Sequence, residues 1–292
     1  VWASLLLLAA LALGSHFAWQ RYGAAVARHP QYQLTADQIQ ITPQPPWIRS
    51  DVKAEVLRDA GLIGTVSVLD DPNVFVRRIQ DAFEFHPWVA HVRGIRKRLP
   101  AALDVELDYR RPVAAVETSN GRSLTLTPID VQGVHLPEAD FTEIERRYLP
   151  RIVGTTSRPL TGETWDDPRI LGAARLAAGL ADIWQQLRLV QILPSTQPLL
   201  RGDERYYSYE ILTSGGTRVV WGVAPSEEPT AGESPFATKR ERLVDYAAEH
   251  GLLDSIDGPA QLDVRSDLVV VPRTARRKPA DAPPKQTETK TK

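Results

Sequence analysis

Residues 103–116 read LDVELDYRRPVAAV, and the fold turns on how this stretch is parsed. Leu103, Val105, Leu107 and Tyr109 alternate with Asp104, Glu106, Asp108 and Arg110, the two-residue period of a strand with one buried and one wet face. A second part of the chain starts at Arg110-Arg111-Pro112. Working back from this strand, residues 88–95 read as its predecessor, and Pro87 closes the helix before that. That helix opens with Asp71 as cap and Pro72 at its first position, and stacks Phe75, Ile79 and Phe83. An earlier helix takes Ser50 as N-cap and Asp51 in its first turn, and carries Val52, Val56 and Ala60 up to Gly61. Before it, residues 38–41 form a strand with Ile39 and Ile41 on one face, stopped by Pro43, Pro45 and Pro46. The order is strand, helix, helix, strand, strand. Two helices should cover one face of this sheet and water the other.

Downstream, hairpin signals dominate. Residues 113–118 and 124–127 flank Asn120-Gly121, a strong two-residue turn signal. Tyr207, Tyr209 and Ile211 alternate into Ser214-Gly215-Gly216, and residues 218–223 return. Between these hairpins one long helix is expected, capped by Asp167 with Pro168 next and carrying Ile170, Ala174, Ala177, Ala181 and Trp184. A shorter helix over residues 239–250 should end at Gly251. The last strand is expected over 262–271, interrupted near Ser266-Asp267.

At the N-terminus, residues 1–19 contain no Asp, Glu, Lys or Arg. As a helix they would span roughly 28 Å, about one hydrocarbon core. Trp19, Arg21 and Tyr22 form an interfacial flank. The length and that flank favour an uncleaved anchor over a signal peptide, and place the rest of the chain on the exported side. The 292 residues include no Met, so Val1 reads as a literal start or as the edge of a longer chain.

Composition narrows the functions. With 35 Lys plus Arg against 36 Asp plus Glu, the net charge of -1 makes no electrostatic case for nucleic acid. Without Cys there is no disulfide framework, thiolate metal site or cysteine nucleophile. His86 and His91 lack the spacing of a zinc pair on a helix, and Asp70-Asp71 and Asp166-Asp167 precede prolines as helix caps do. Gly61-x-x-Gly64 and Gly215-Gly216 lack the lysine of a phosphate loop, and no Gly-x-Ser-x-Gly elbow occurs. No metal, cofactor or small-molecule substrate is expected, and no enzyme. Arg93, Arg96, Lys97 and Arg98 read as a solvated hairpin tip, and Tyr207 and Tyr209 as core. Residues 275–292, with six basic and two acidic side chains and no apolar period, read as a disordered tail.

These parts, in this order, resemble the bacterial cell-division family FtsQ, called DivIB in Gram-positive bacteria. Residues 103–116 are similar to its junction strand, Asp130-Val131-Gln132-Gly133 to its Asp-x-x-Gly turn, and 149–154 to its Leu-Pro-x-aliphatic-x-Gly segment. Val219-Val220-Trp221-Gly222, then Lys239 and Leu243, resemble its late strand and following helix, and Leu262-Asp263-Val264-Arg265 its final strand. The final strand departs from the family at Ser266 and Val271-Pro272, where better-known members carry aromatics. The resemblance implies an α+β fold: a transmembrane helix (1–20), a connector (21–32), a POTRA-like β-α-α-β-β module (33–110), a β-rich domain with two helices (111–272) and a basic tail (273–292). It implies a single-pass protein of the inner, cytoplasmic membrane with its bulk in the periplasm, a scaffold of the divisome during septum formation. Partners would be the small bitopic division proteins FtsB and FtsL, and other divisome components through the POTRA-like module. By position, Asp263, Arg265, Leu268 and Val270 would line an exposed edge strand, Arg265 facing a partner carboxylate. The alternative is a POTRA-bearing chaperone or translocation module for exported or outer-membrane proteins, which would want tandem units or a C-terminal barrel.

Overall fold

In the computed structural model, which describes residues 2–27, 29–62, 67, 69, 71–99, 101–119, 124–155, 158–255 and 258–273, the apolar N-terminal run forms helix α1 (Trp2–Ala27). Residues 2–23 are long and apolar enough to cross a membrane, about 33 Å at the helical rise. The helix continues through the first residues of the expected connector. No proline interrupts 21–27, and the first one comes at Pro30.

Next come β1 (Ile39–Ile41), α2 (Val52–Asp59), α3 (Pro72–Glu84), β2 (Val89–Arg98) and β3 (Ala102–Tyr109). The three strands pair in the order β1-β3-β2, with β1 parallel and β2 antiparallel to β3. Leu103, Val105 and Leu107 are buried under Val52, Val56 and Leu57 of α2 and Phe75, Ile79 and Phe83 of α3. The α3 cap is as read: the Asp71 carboxylate accepts from the amides of Asn73 and Val74. The α2 cap is shifted by one residue. Asp51, not Ser50, accepts from Ala54 N at 3.0 Å, because the Ser50 hydroxyl is drawn to Asp140. The basic stretch is also not a tip. Strand β2 runs on to Arg98, so Arg93, Arg96 and Arg98 form ion pairs with Asp108, Glu106 and Asp104 of β3 at 2.5, 2.9 and 2.6 Å. The wet face of the small sheet is thus a ladder of opposite charges.

The remaining elements are β4 (Ala114–Ser119), β5 (Leu124–Ile129), α4 (Glu143–Tyr148), β6 (Arg151–Thr155), α5 (Pro168–Gly179) and β7 (Leu189–Pro194). After them come β8 (Leu199–Arg201), β9 (Glu204–Tyr206), β10 (Ser208–Thr213), β11 (Arg218–Val223), α6 (Glu228–Ala231), α7 (Phe236–His250), β12 (Pro259–Asp263) and β13 (Val269–Pro272). Eight of these strands make one mixed sheet in the order β13-β12-β11-β10-β7-β6-β4-β5, while β8 and β9 pair only with each other. Its core joins Val116, Ile152, Ile192, Ile211, Trp221 and Leu262 from the strands to Ile170, Ala174 and Ala177 of α5 and Leu243 of α7.

Two helices were expected here; the described residues include four α-helices, because α4 and α6, of six and four residues, are too short to show a period. Helix α5 stops at Gly179, so Ala181 and Trp184 follow it in turns, although Trp184 remains buried. A side chain at Gly179 would overlap the Phe236 ring, so α5 and α7 meet closely there. Helix α7, at 15 residues against 12 for α5, is the longer of the two. Tyr209 is buried and Tyr207 packs beside it on the same core, as alternation required. The Asn120-Gly121 turn, Asp70, Gly64 and the tail from residue 274 lie outside the described residues.

The two cores are joined through residues 130–141. Leu136 is buried in the core of the first sheet, and the Phe141 ring lies 5.8 Å from that of Trp88. Buried Asp140 accepts from the amides of Arg49 and Ser50, the Ser50 hydroxyl and Trp88 Nε1. Arg110, at the end of β3, reaches Asp130 at 2.7 Å, and Asp130 in turn accepts from the amides of Gln132 and Val134. Gly133, with φ +75°, supplies the left-handed turn residue.

Candidate docking edge of the large sheet

The expected last strand over 262–271 is two strands. Residues 264–268 reverse the chain, so that β12 lies between β11 and β13, and β13 forms the edge. The four candidate residues are therefore divided. Asp263 ends the inner strand β12, Arg265 and Leu268 occupy the reversal, and Val270 alone is on the edge strand. Arg265 turns back on Asp263 in a two-pronged ion pair at 2.7 and 3.0 Å. Hydrogen bonding from Arg265 holds the Asp263 carboxyl below the usual carboxylate range and raises Arg265 in return. Arg265 accordingly has an internal carboxylate partner.

The exposed feature is β13 itself. Val269, Val270 and Val271 are 55, 41 and 42% exposed in consecutive positions, and among the described residues no strand pairs with their outer side. Every second backbone N–H and C=O of such a strand points away from the sheet. Grooves flank it on both sides. One, of about 450 Å³, is lined by Leu268 and Val270 with Arg242, Tyr246 and His250 of α7. The other, of about 490 Å³, is lined by Val269 with Leu199 of β8, Gly232, Asp263 and Arg265. Leu268 and Val270 thus face one groove and Val269 the other, the alternation an added strand would need for its own side chains.

The hairpin is fastened at both ends. At the reversal, Ser234 N donates to Arg265 O, Ser234 Oγ to Ser266 O, and Arg242 Nη1 to Val264 O at 3.0 Å. At the far end, Arg273 Nη2 donates to Gly215 O at 2.7 Å and to Thr217 Oγ1 at 2.9 Å. Beneath the reversal, fully buried Lys239 of α7 meets Glu233 Oε2 at 2.5 Å, and the same oxygen accepts from Val223 N. Gly222, with φ +90°, lies so close that a Cβ there would come within 2.0 Å of Glu233 Oε2. None of Ser234, Lys239, Arg242 or Arg273 was singled out for this role in the sequence. The cue for Lys239 was its position one turn before Leu243 on the inner face of α7.

The other sequence candidates fall elsewhere. His86 is buried, its Nε2 3.0 Å from Glu55 Oε2, while His91 is exposed on β2. Asp167 caps α5 through Arg169 N. Among the described residues no group of three His, Cys, Asp or Glu side chains has the geometry of a metal site. No protein-family model matches this chain, and no curated protein matches it significantly.

Proposed function

We propose that this chain is a non-enzymatic, membrane-anchored docking protein of the bacterial cell-division machinery, of the FtsQ/DivIB kind. The observation that carries this reading is the open edge of the eight-stranded sheet at β13, with exposed side chains alternating between two grooves. An extended segment of a partner adds to such an edge through main-chain hydrogen bonds and is chosen by the pockets its side chains fill. The apolar helix α1 supports a single-pass anchor, with the sheets on the exported side of the inner membrane. The strand order β1-β3-β2 beneath α2 and α3 supports a POTRA-type module, offered to other divisome components. The partners at the edge are small bitopic division proteins of the FtsB and FtsL kind.

The test is co-purification from membranes of the full chain with a bitopic partner of that kind. Val270→Lys is expected to weaken recovery at least about tenfold, the loss of one well-placed interface side chain, with the unfolding transition almost unmoved. Undiminished recovery overturns the edge assignment.

A further inference from the structure

A third groove lies where the two sheet-bearing parts meet, far in sequence from β13. It has a volume of about 750 Å³, between the C-terminal ends of α2 and α3 and the loop 160–163. Its floor is apolar, with Val56, Ala60, Ala82 and Pro87, and Gly162 packs so tightly on Pro87 that a Cβ there would sit 3.3 Å from Pro87 Cγ. Two large apolar side chains lining the groove are left in water: Phe85 is 90% exposed and Leu160 73% exposed. Bare aromatic and aliphatic side chains lining one concavity mark a contact surface rather than scattered exposure.

The charge around the groove decides what covers it. Asp59, Asp81, Glu84 and Glu163 line it, and Arg78 is the one lining cation among the described residues. Asp59 is answered from outside by Arg58 at 2.8 Å, and Glu163 accepts from Leu160 N, so the surplus stays negative. An anionic membrane surface is repelled by this rim, and an acidic peptide likewise. The chain's own segment 274–292 brings basic charge but contains no Val, Ile, Leu, Phe, Trp or Tyr to cover Phe85 and Leu160. We propose that this groove docks a short segment of another polypeptide in which an aromatic or aliphatic anchor is flanked by lysine or arginine. The anchor packs between Phe85 and Leu160, and the flanking cations meet Asp81, Glu84 and Glu163.

Fluorescence anisotropy tests this with the full chain in phosphatidylcholine nanodiscs and three labelled peptides, KKSFSLSKK, EESFSLSEE and SSSFSLSSS, empty nanodiscs serving as background. KKSFSLSKK is expected to bind saturably, at least about tenfold tighter than EESFSLSEE, with SSSFSLSSS between them. Phe85→Ser, and separately the pair Asp81→Lys and Glu84→Lys, should each weaken KKSFSLSKK at least about tenfold. Val270→Lys should leave it unchanged, which separates this groove from the sheet edge. Equal binding of all three peptides, no saturable binding of KKSFSLSKK, or unaltered binding by Phe85→Ser overturns the proposal. Tighter peptide binding by a chain ending at Arg273 overturns it too, in favour of the chain's own basic segment as occupant.

Discussion

The large sheet has two edges, and they are finished in opposite ways. At one end β5 carries Pro128, and the outer side of its last two residues is taken by the chain's own return: Ile129 bridges to His135, and Leu136 N donates to Pro128 O. Leu136 then enters the core of the first sheet, so closing this edge and joining the two cores are one packing event. At the other end β13 carries three exposed valines, and among the described residues no strand lies along it. A free strand edge is an aggregation hazard that a chain normally covers, charges or breaks. This protein covers the end of one edge with itself, and at the other it fastens both ends of the hairpin whose outer strand is unpaired among the described residues. The contrast sets a different expectation for each edge: substitutions at the Leu136 junction should act on stability, and, under the proposed function, those at β13 on association.

The largest expected effect comes from undoing the closed edge. Leu136→Ala removes a fully buried side chain and should cost about 2–5 kcal/mol, read as a lowered midpoint in thermal or denaturant unfolding. Asp140→Ala comes next, at about 1–3 kcal/mol, because Trp88 Nε1 is left buried without an acceptor. Faster hydrogen exchange at the Ser50 amide, whose acceptor is lost, would locate that effect at the junction. At the open edge the same measurements should hardly move: Val270→Lys is expected within about 0.5 kcal/mol of the parent. A large destabilisation there would erase the distinction between the edges.

The smallest effect concerns the reversal beside β13. The folded Asp263 carboxyl is depressed by Arg265, so the pair adds stability above the unfolded carboxylate range and loses it as pH falls through the lowered folded value. Protection factors at the Val264 and Arg265 amides, corrected for the intrinsic exchange rate at each pH, should therefore fall in acid before global unfolding. Arg265→Gln should weaken that acid dependence, the Arg265 amide and Lys239 still acting on Asp263, while changing neutral-pH stability little, because the pair is partly open to solvent and screened.

How much of this was legible depended on where the determining contacts lie. The first part could be read closely because its signals are local: Asp71 before Pro72, Phe75, Ile79 and Phe83 one turn apart, and the two-residue period of 103–109. The charge ladder on β2 was misread as a tip, although its partners Asp104, Glu106 and Asp108 already alternated opposite it. The reversal at 264–268 was hidden for a different reason. Its turn is held by Ser234 and Arg242, about thirty and twenty residues away, so 262–271 looked like one interrupted strand. Of the four residues expected on the edge strand, only Val270 therefore lies on it. The exposure of Phe85 is of the same nature, since nothing adjacent in sequence says whether the end of a helix will be covered.

The buried contact of Gly222, Glu233 and Lys239 has a consequence for inheritance. No side chain fits at position 222 while Glu233 stays where it is, and removing Glu233 takes from the fully buried Lys239 its ion-pair partner. Substitutions at the three positions are therefore not independent: a descendant that gains a side chain at 222 must give up the acid, and then the base. Any related chain that retains lysine at the position of Lys239 should also retain the glycine and the glutamate, which makes this spaced trio a more discriminating mark of kinship than the exposed valines beside it.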